Sequence, residues 1–215
     1  MAGLATIYIS LNGPIHDLSE NYLFSVHMLQ HLLLIIVMPP LILIGTPKWL
    51  VGSFLNRSTL KYLAKYSARP IGAFIVFNGV LIGWHIPALY NITLVNHNIH
   101  ILEHLTLMLA SILMWAPILG PLPDWLSQNS GIKCLYVFCI SLPMGFLGAI
   151  ITFSNDVLYK FYLTSPKIWN ISPIVDQQIG GIAMKTSAAV FLFAFITIFF
   201  KWFRRHEKMP DENSI

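Results

Sequence analysis

The sequence predicts an all-α protein, a polytopic transmembrane helical bundle that forms a single membrane-embedded domain over residues 1–215. Of its 215 residues, 56% are hydrophobic and only 10% are charged, whereas soluble domains carry roughly a quarter charged residues. The apolar residues also form long uninterrupted blocks. Such blocks span the hydrocarbon core as helices, because lipid offers backbone N–H and C=O groups no partner and a helix satisfies them internally.

Five spans are clear, and a sixth segment is marginal. Residues 2–15 are short for a span and are interrupted by Asn12, Gly13 and Pro14. They also lack the basic region and cleavage site of a signal peptide. In the first span, Pro39 and Pro40 are expected to produce a kink. The predicted spans cover residues 22–44, 70–90, 97–119, 133–153 and 174–200.

The basic residues predict the orientation of these spans. If the five spans alternate, ten of the 13 Lys and Arg residues fall on one side, in the loop 45–69, at Lys133 and in the tail 201–215. The other side carries only Lys160 and Lys167. Because an excess of Lys and Arg marks the cytoplasmic side, we expect both the loop and the tail in the cytoplasm. The net charge of +4 therefore reflects topology, and no nucleic-acid partner is predicted.

Part of the cytoplasmic loop allows two interpretations. Residues 53–66 set basic side chains among apolar ones, which is typical of an amphipathic helix lying on the membrane surface. An ordinary basic loop fits the same residues equally well.

Three predicted spans each carry histidine in the half nearer the outer face. Spacings of four residues in the first span, and of three and four in the third, place the imidazoles of each span on one helical face. An ionisable group inside a membrane is costly and usually faces the bundle interior, where it serves a function. Neutral imidazole is a common metal ligand, so a shared metal site is predicted, although any single histidine could instead form an interhelical hydrogen bond. The predicted ligands are His27, His31, His85, His100 and His104.

Other side chains are expected to support this site. Glu103, beside His104, could hold a ligand imidazole in one tautomer. Asp176 is either part of the site or a helix N-terminal residue favoured by the helix dipole. Methionine could supply a soft ligand, although packing is its default role. The auxiliary candidates are His97, Glu103, Met28, Asp156, Asp176, Gln177 and Met184. Cys134 and Cys139 lie in the opposite half of the fourth span and are expected to be structural thiols.

The residues leave several metal chemistries open. Copper suits imidazoles with an available thioether. A haem held by two histidines from facing helices is an alternative. A di-iron oxidase like the membrane desaturases is a partial match, because those enzymes have adjacent histidine pairs that are absent here. A transporter is less favoured, because the sequence shows no matched pair of broken helices.

Four runs carry a resemblance to a known family. They are FSVHMLQHLLLIIVMPPLILIG (24–45), WHIPALY (84–90), HNIHILEHLTLMLASILMWAPILGP (97–121) and DQQIGG (176–181). In this order, and over nearly the whole chain from Gly13 onward, they resemble the CtaG-type cytochrome c oxidase assembly proteins. Carried over by motif, the functional residues would be His27 and His31, His85, His100 with Glu103 and His104, and Asp176 with Gln177 and Gln178.

The resemblance implies a polytopic protein of the bacterial inner membrane that is needed to mature a haem–copper oxidase and has a role in copper supply. On that basis we expect no catalytic turnover, bound Cu(I) rather than haem, and oxidase subunits and a copper donor protein as partners. Family members have more spans than this chain, so the resemblance predicts that upstream helices are missing. The remaining alternatives are a haem-binding or histidine-rich redox protein and an assembly scaffold without metal.

Overall fold

The computed structural model describes residues 1–55, 69–120 and 129–207, and within these ranges it is helical without strands. Four helices are long and apolar enough to cross a membrane, and a bent pair makes a fifth crossing if it is counted as one. Most of the segment 53–66, discussed above as a surface helix, lies outside the described residues. The helices are α1 (Ala2–Leu11), α2 (Pro14–Asn21), α3 (Phe24–Gly45), α4 (Lys48–Leu55), α5 (Pro70–His85), α6 (Pro87–Thr93), α7 (His97–Leu119), α8 (Ser130–Phe153), α9 (Phe161–Thr164) and α10 (Pro173–Glu207).

The second predicted span is a broken helix rather than a continuous one. α5 ends at His85, and α6 leaves it at an angle of 77°. Proline disfavours a helical conformation in the residue before it, and Ile86, which precedes Pro87, is extended with φ −63° and ψ 123°. The prediction of five clear spans is therefore corrected to four continuous helices and one bent pair.

The marginal segment at the start of the chain forms two short helices. α1 ends at Leu11, and Gly13 adopts a φ of 70° before α2 begins, a conformation that glycine reaches without strain. The ten residues of α1 cover about 15 Å, half of the hydrocarbon thickness. α1 instead packs on the second half of α3, where a Cβ on Gly3 would lie 2.6 Å from Ile42 Cγ1.

The prolines of α3 disturb the helix one turn before their own position. Pro39 has no N–H for the carbonyl of Ile35, and that carbonyl instead accepts a hydrogen bond of 2.9 Å from Trp115 Nε1 on α7. The preceding turn, Leu33–Val37, widens to π-helical geometry. The helix therefore continues through both prolines, and the carbonyl that Pro39 leaves unpaired is satisfied by the neighbouring α7.

Three further helices complete the bundle. α7 covers 97–119, the range predicted, and the Asn96 side chain accepts hydrogen bonds from the amides of Asn98 and Ile99 at its start. α8 begins three residues before the predicted span. α10 extends beyond the predicted end at residue 200, because 201–207 contains neither proline nor glycine, so the first part of the predicted tail is helical.

Successive long helices run in opposite directions, and this brings one set of ends together. Asp176 at the start of α10 hydrogen-bonds the backbone at the start of α3, and Tyr159 hydrogen-bonds His85 at the end of α5. α8 and α10 approach closely through two glycines, since a Cβ on Gly148 would lie 2.6 Å from Lys185 N and one on Gly181 would lie 2.7 Å from Thr152 N. The histidines lie at this shared end.

Candidate metal centre

The first turns of α3 direct two histidines into the bundle. His27 and His31 lie one turn apart, with ring centroids separated by 4.3 Å. They are 0% and 2% exposed. Within the described residues, none of their four ring nitrogens has a hydrogen-bond partner. Both imidazoles are therefore free to act as ligands.

Glu103 of α7 faces this pair across the helix interface. Its Oε1 lies 3.9 Å from His27 Nε2 and 3.7 Å from His31 Nε2. Both carboxylate oxygens are buried and without a hydrogen-bond partner in the described part of the chain. Glu103 and the two histidines each offer one ligand atom, all within 4.8 Å of one another. The sequence suggested that Glu103 could hold a ligand imidazole in one tautomer, and in the structure its carboxylate lies against the two imidazoles of α3.

His100 and His104 lie one turn apart beside this group. Their Nε2 atoms are 2.7 Å apart. The His104 ring centroid is 5.2 Å from that of His31 and 5.8 Å from that of His27. His104 Nδ1 is buried and has no hydrogen-bond partner among the described residues.

His85 reaches the group from the end of α5. Its Nδ1 lies 2.7 Å from the carbonyl oxygen of Leu81. Because a carbonyl only accepts hydrogen bonds, Nδ1 carries the hydrogen and the lone pair resides on Nε2. That nitrogen is buried and unpartnered in the described structure, and the ring lies 6.1 Å from that of His31.

We call His27, His31, His85, His100, Glu103 and His104 the histidine–glutamate cluster. The described structure has ten buried side-chain nitrogen and oxygen atoms without a hydrogen-bond partner, and eight of them belong to this cluster. Buried polar groups are ordinarily paired, so such a concentration calls for an explanation. Imidazole nitrogens and a carboxylate are ligands that copper, zinc and iron accept, and the donor set therefore fits a metal ion.

Most of the auxiliary candidates lie outside the cluster. His97 is exposed at the first residue of α7. Met28 and Met184 pack in an apolar group with the rings of Tyr90 and Tyr159. Asp156 has an exposed side chain, and only its backbone carbonyl takes part in the structure around Gln177. The two cysteines lie in the half of α8 away from the cluster, Cys134 buried and Cys139 half-buried.

Asp176 supports the cluster without contacting it. Its carboxylate accepts hydrogen bonds from the backbone amides of Phe24 (2.6 Å) and Ser25 (3.1 Å). Unpaired amides at a helix start need such an acceptor, and a negative charge there is favoured by the helix dipole. Asp176 thus attaches α10 to the turn that carries His27.

Gln177 holds the loop between α8 and α9. Its Oε1 accepts a hydrogen bond of 2.7 Å from Leu158 N, and its Nε2 donates to the carbonyl of Asp156. The adjacent Tyr159 donates to the carbonyl of His85. Burial, aided by the negative charge of Glu103, raises the pKa of the Tyr159 hydroxyl, so it remains a donor. Gln178 is half-buried next to these residues.

Two residues that sequence reasoning did not select lie at the edge of the cluster. Glu20 Oε1 is 2.7 Å from His100 Nδ1 and 3.2 Å from His16 Nε2. The side chains of His16 and Glu20 are 24% and 27% exposed. Their spacing of four residues on α2 is a sequence signal for a pair on one helical face, but nothing in the sequence shows that this face meets α7.

The sequence matches the model of the protein family described as cytochrome c oxidase caa3 assembly factor, over residues 1–205. The matched region includes every residue of the histidine–glutamate cluster. Comparison with curated proteins and comparison with solved structures found no match.

Proposed function

Because this chain belongs to the family of cytochrome c oxidase caa3 assembly factors, we propose that it binds a copper ion at the histidine–glutamate cluster and passes the ion to an oxidase subunit. Family membership indicates a protein that acts on cytochrome c oxidase during its assembly, and it suggests a role without catalytic turnover. Copper as the cargo, and the cluster as its binding site, go beyond what family membership indicates.

One observation carries the proposal, namely that the cluster buries eight polar atoms without a hydrogen-bond partner among the residues that the structure describes. Each buried group without a partner costs about 1–3 kcal/mol. A bound ion would engage several of them at once and recover part of that cost. Ionisable side chains kept in a membrane interior at such expense typically serve a function.

The charge of the cluster favours Cu(I) over Cu(II). Glu103 is the carboxylate that faces His27 and His31, so one monovalent ion bound by these three residues is neutralised in a low-dielectric environment. A divalent ion bound by the same three residues would keep one positive charge, which Glu20 at the more exposed edge of the cluster would have to offset. The ligands in this proposal are His27, His31 and Glu103. The rings of His85 and His104 lie farther out, 6.1 and 5.2 Å from that of His31. Met28 and Met184 are not ligands in this proposal, because both pack in the apolar group with Tyr90 and Tyr159.

We place the site toward the outer face of the bacterial cytoplasmic membrane. The cluster lies at the ends of the helices opposite to the loop that follows α3, and that loop carries much of the basic excess. The cluster offers more nitrogen donors than one ion needs, which suits transfer by stepwise ligand exchange rather than permanent retention.

A second candidate function is that of an iron-dependent redox protein. His27, His31 and Glu103 form a group of two histidines and one carboxylate, the donor set of many non-haem iron sites. Haem is supported less well than either ion. A haem needs a flat slot between two imidazoles, whereas these rings lie against one another with centroids 4.3–6.1 Å apart.

Metal analysis of the protein purified from copper-supplemented membranes tests the proposal. Wild type should retain copper, and the variant His27→Ala/His31→Ala should lose it. His97→Ala is the matched control, because this exposed histidine of α7 lies outside the cluster, and it should retain the wild-type amount.

An absorbance spectrum of the same samples separates the alternatives. Iron in place of copper would support the redox candidate, and a Soret band would support haem. Wild type without any bound metal would overturn the copper proposal and leave a scaffold that acts on oxidase subunits through protein contacts alone.

A further inference from the structure

A chain of two hydrogen bonds links the edge of the cluster to a buried nitrogen. Glu20 Oε1 lies 2.7 Å from His100 Nδ1. On the other side of that ring, His100 Nε2 lies 2.7 Å from His104 Nε2. The Glu20 side chain is 27% exposed and that of His100 is 4% exposed. The two hydrogen bonds therefore lead from the surface of α2 into the bundle.

Donor and acceptor chemistry sets the direction of both bonds. An ionised carboxylate only accepts, so in a neutral imidazole His100 carries its hydrogen on Nδ1 and its lone pair on Nε2. His100 Nε2 must then accept, and His104 donates from its own Nε2. The lone pair of His104 is left on Nδ1, which is buried and has no hydrogen-bond partner within the described residues.

We propose that Glu20 is a positioning residue that acts through His100 to present Nδ1 of His104 to the metal ion. The consequence for metal binding rests on the proposed function, whereas the hydrogen-bond chain does not. Ligand histidines commonly donate their second N–H to a carboxylate, which fixes the tautomer; here one imidazole is inserted between the carboxylate and the ligand. His100 then supports a ligand instead of being one.

The carboxylate of Glu20 is itself held from a second side. Gln30 Nε2 lies 3.2 Å from His16 Nδ1, and because an amide nitrogen donates, His16 accepts at Nδ1 and carries its hydrogen on Nε2. That hydrogen is directed to Glu20 Oε1, 3.2 Å away. Glu20 thus receives two imidazole N–H groups, which keeps its acceptor oxygen at His100.

Nitrogen NMR of the histidine side chains in the metal-free protein tests the tautomer. In wild type, His104 should show an unprotonated Nδ1 and a protonated Nε2. Glu20→Ala should convert His104 to a mixture of tautomers. Glu20→Gln should preserve the wild-type pattern, because the amide oxygen still accepts from His100. Asp17→Ala is the control, since it removes the same charge from an exposed position of the same helix and should leave His104 unchanged.

Copper affinity provides the second measurement. Glu20→Ala should weaken binding by roughly 10–100-fold, Glu20→Gln by less, and Asp17→Ala should have no effect. If Glu20→Ala does not fold, His100→Phe interrupts the same chain one link further in and should change His104 in the same way.

The two measurements separate the two ideas. A wild-type His104 tautomer in both Glu20→Ala and His100→Phe would overturn the positioning role, even if the protein binds copper. The expected tautomer change in a protein that binds no copper would support the hydrogen-bond chain and refute the copper proposal.

Discussion

At the scale of single residues, Glu103 shows how the site conflicts with stability. Its carboxylate is buried between two imidazoles, without a hydrogen-bond partner in the described structure. A buried charge lacking full compensation is destabilising. We predict that Glu103→Gln, which keeps the shape and removes the charge, leaves the metal-free protein at least as stable as wild type and weakens copper binding by at least about tenfold.

Thermal unfolding of the detergent-solubilised protein, with and without copper, measures both effects. Wild type should gain stability from the metal, because a ligand that binds only the folded state stabilises it, and Glu103→Gln should gain much less. Wild-type copper affinity in Glu103→Gln would contradict the assignment of Glu103 as a ligand.

Asp176 is a second single residue with a large expected effect, and its hydrogen bonds go to backbone amides. Removing its two hydrogen bonds to the start of α3 should cost about 1–2 kcal/mol of unfolding free energy, the usual loss for a helix cap. We predict that Asp176→Ala lowers the unfolding temperature and also weakens copper binding, because His27 lies in the turn that this carboxylate holds. Asp176→Asn should have a smaller effect, since its amide still provides one acceptor.

Asp156→Ala is the matched control for Asp176→Ala, because this nearby carboxylate is exposed and should leave both quantities unchanged. Equal effects of Asp156→Ala and Asp176→Ala would show that loss of negative charge, and not loss of the cap, is responsible.

At the scale of helices, the contact between α8 and α10 depends on one glycine far more than on its neighbour. A Cβ on Gly148 would lie 2.6 Å from the backbone nitrogen of Lys185, whereas a Cβ on Gly145 would lie 3.8 Å from Ala188 Cβ. We predict that Gly148→Ala forces the two helices apart and destabilises the protein by about 1–3 kcal/mol, the usual cost of overpacking.

Gly145→Ala should instead be neutral or stabilising by up to about 1 kcal/mol, because alanine is the better helix former. Unfolding midpoints of the two variants, measured side by side, test this. Equal midpoints would mean that the two helices separate without cost. The comparison is well matched, because both glycines lie on α8 and the two substitutions add the same methyl group.

For the helices, some features could be predicted from the sequence and others could not. The limits of α7 match the predicted span 97–119, which follows the capping residue Asn96 and ends before Gly120. The break between α5 and α6 was visible only as Pro87, because the residues on both sides are apolar and hydropathy cannot show the 77° bend. Spacing along a helix correctly placed His27 beside His31, since that relation is local.

Contacts between helices were beyond sequence reasoning. Asp176 caps a helix that begins 152 residues earlier, and Glu20 reaches α7 from α2. Which face of one helix meets which face of another depends on how all the helices pack together. For that reason the sequence could name the imidazoles on each helix but not the helix that Glu103 faces, and it did not select Glu20.

At the scale of the whole molecule, the site is a junction of separate parts of the chain. The cluster residues come from α3, α5 and α7. α2 contributes the carboxylate at its edge, and α10 caps the helix that carries two of its histidines. Substitutions in α2, near the start of the chain, or in α10, near its end, should therefore affect the site even though neither helix provides a ligand.

The orientation of the whole bundle decides from which side the proposed copper ion can enter, and it is directly testable. We predict that the loop between α8 and α10 faces the outside and α4 faces the cytoplasm, because the basic residues are concentrated on the side of α4. In a Cys134→Ser/Cys139→Ser background, Lys167→Cys should react with a membrane-impermeant thiol reagent in right-side-out vesicles. Ser53→Cys, also at an exposed position, should react only in inverted vesicles. The reverse pattern would place the histidine–glutamate cluster toward the cytoplasm, and copper would then have to be supplied from inside the cell.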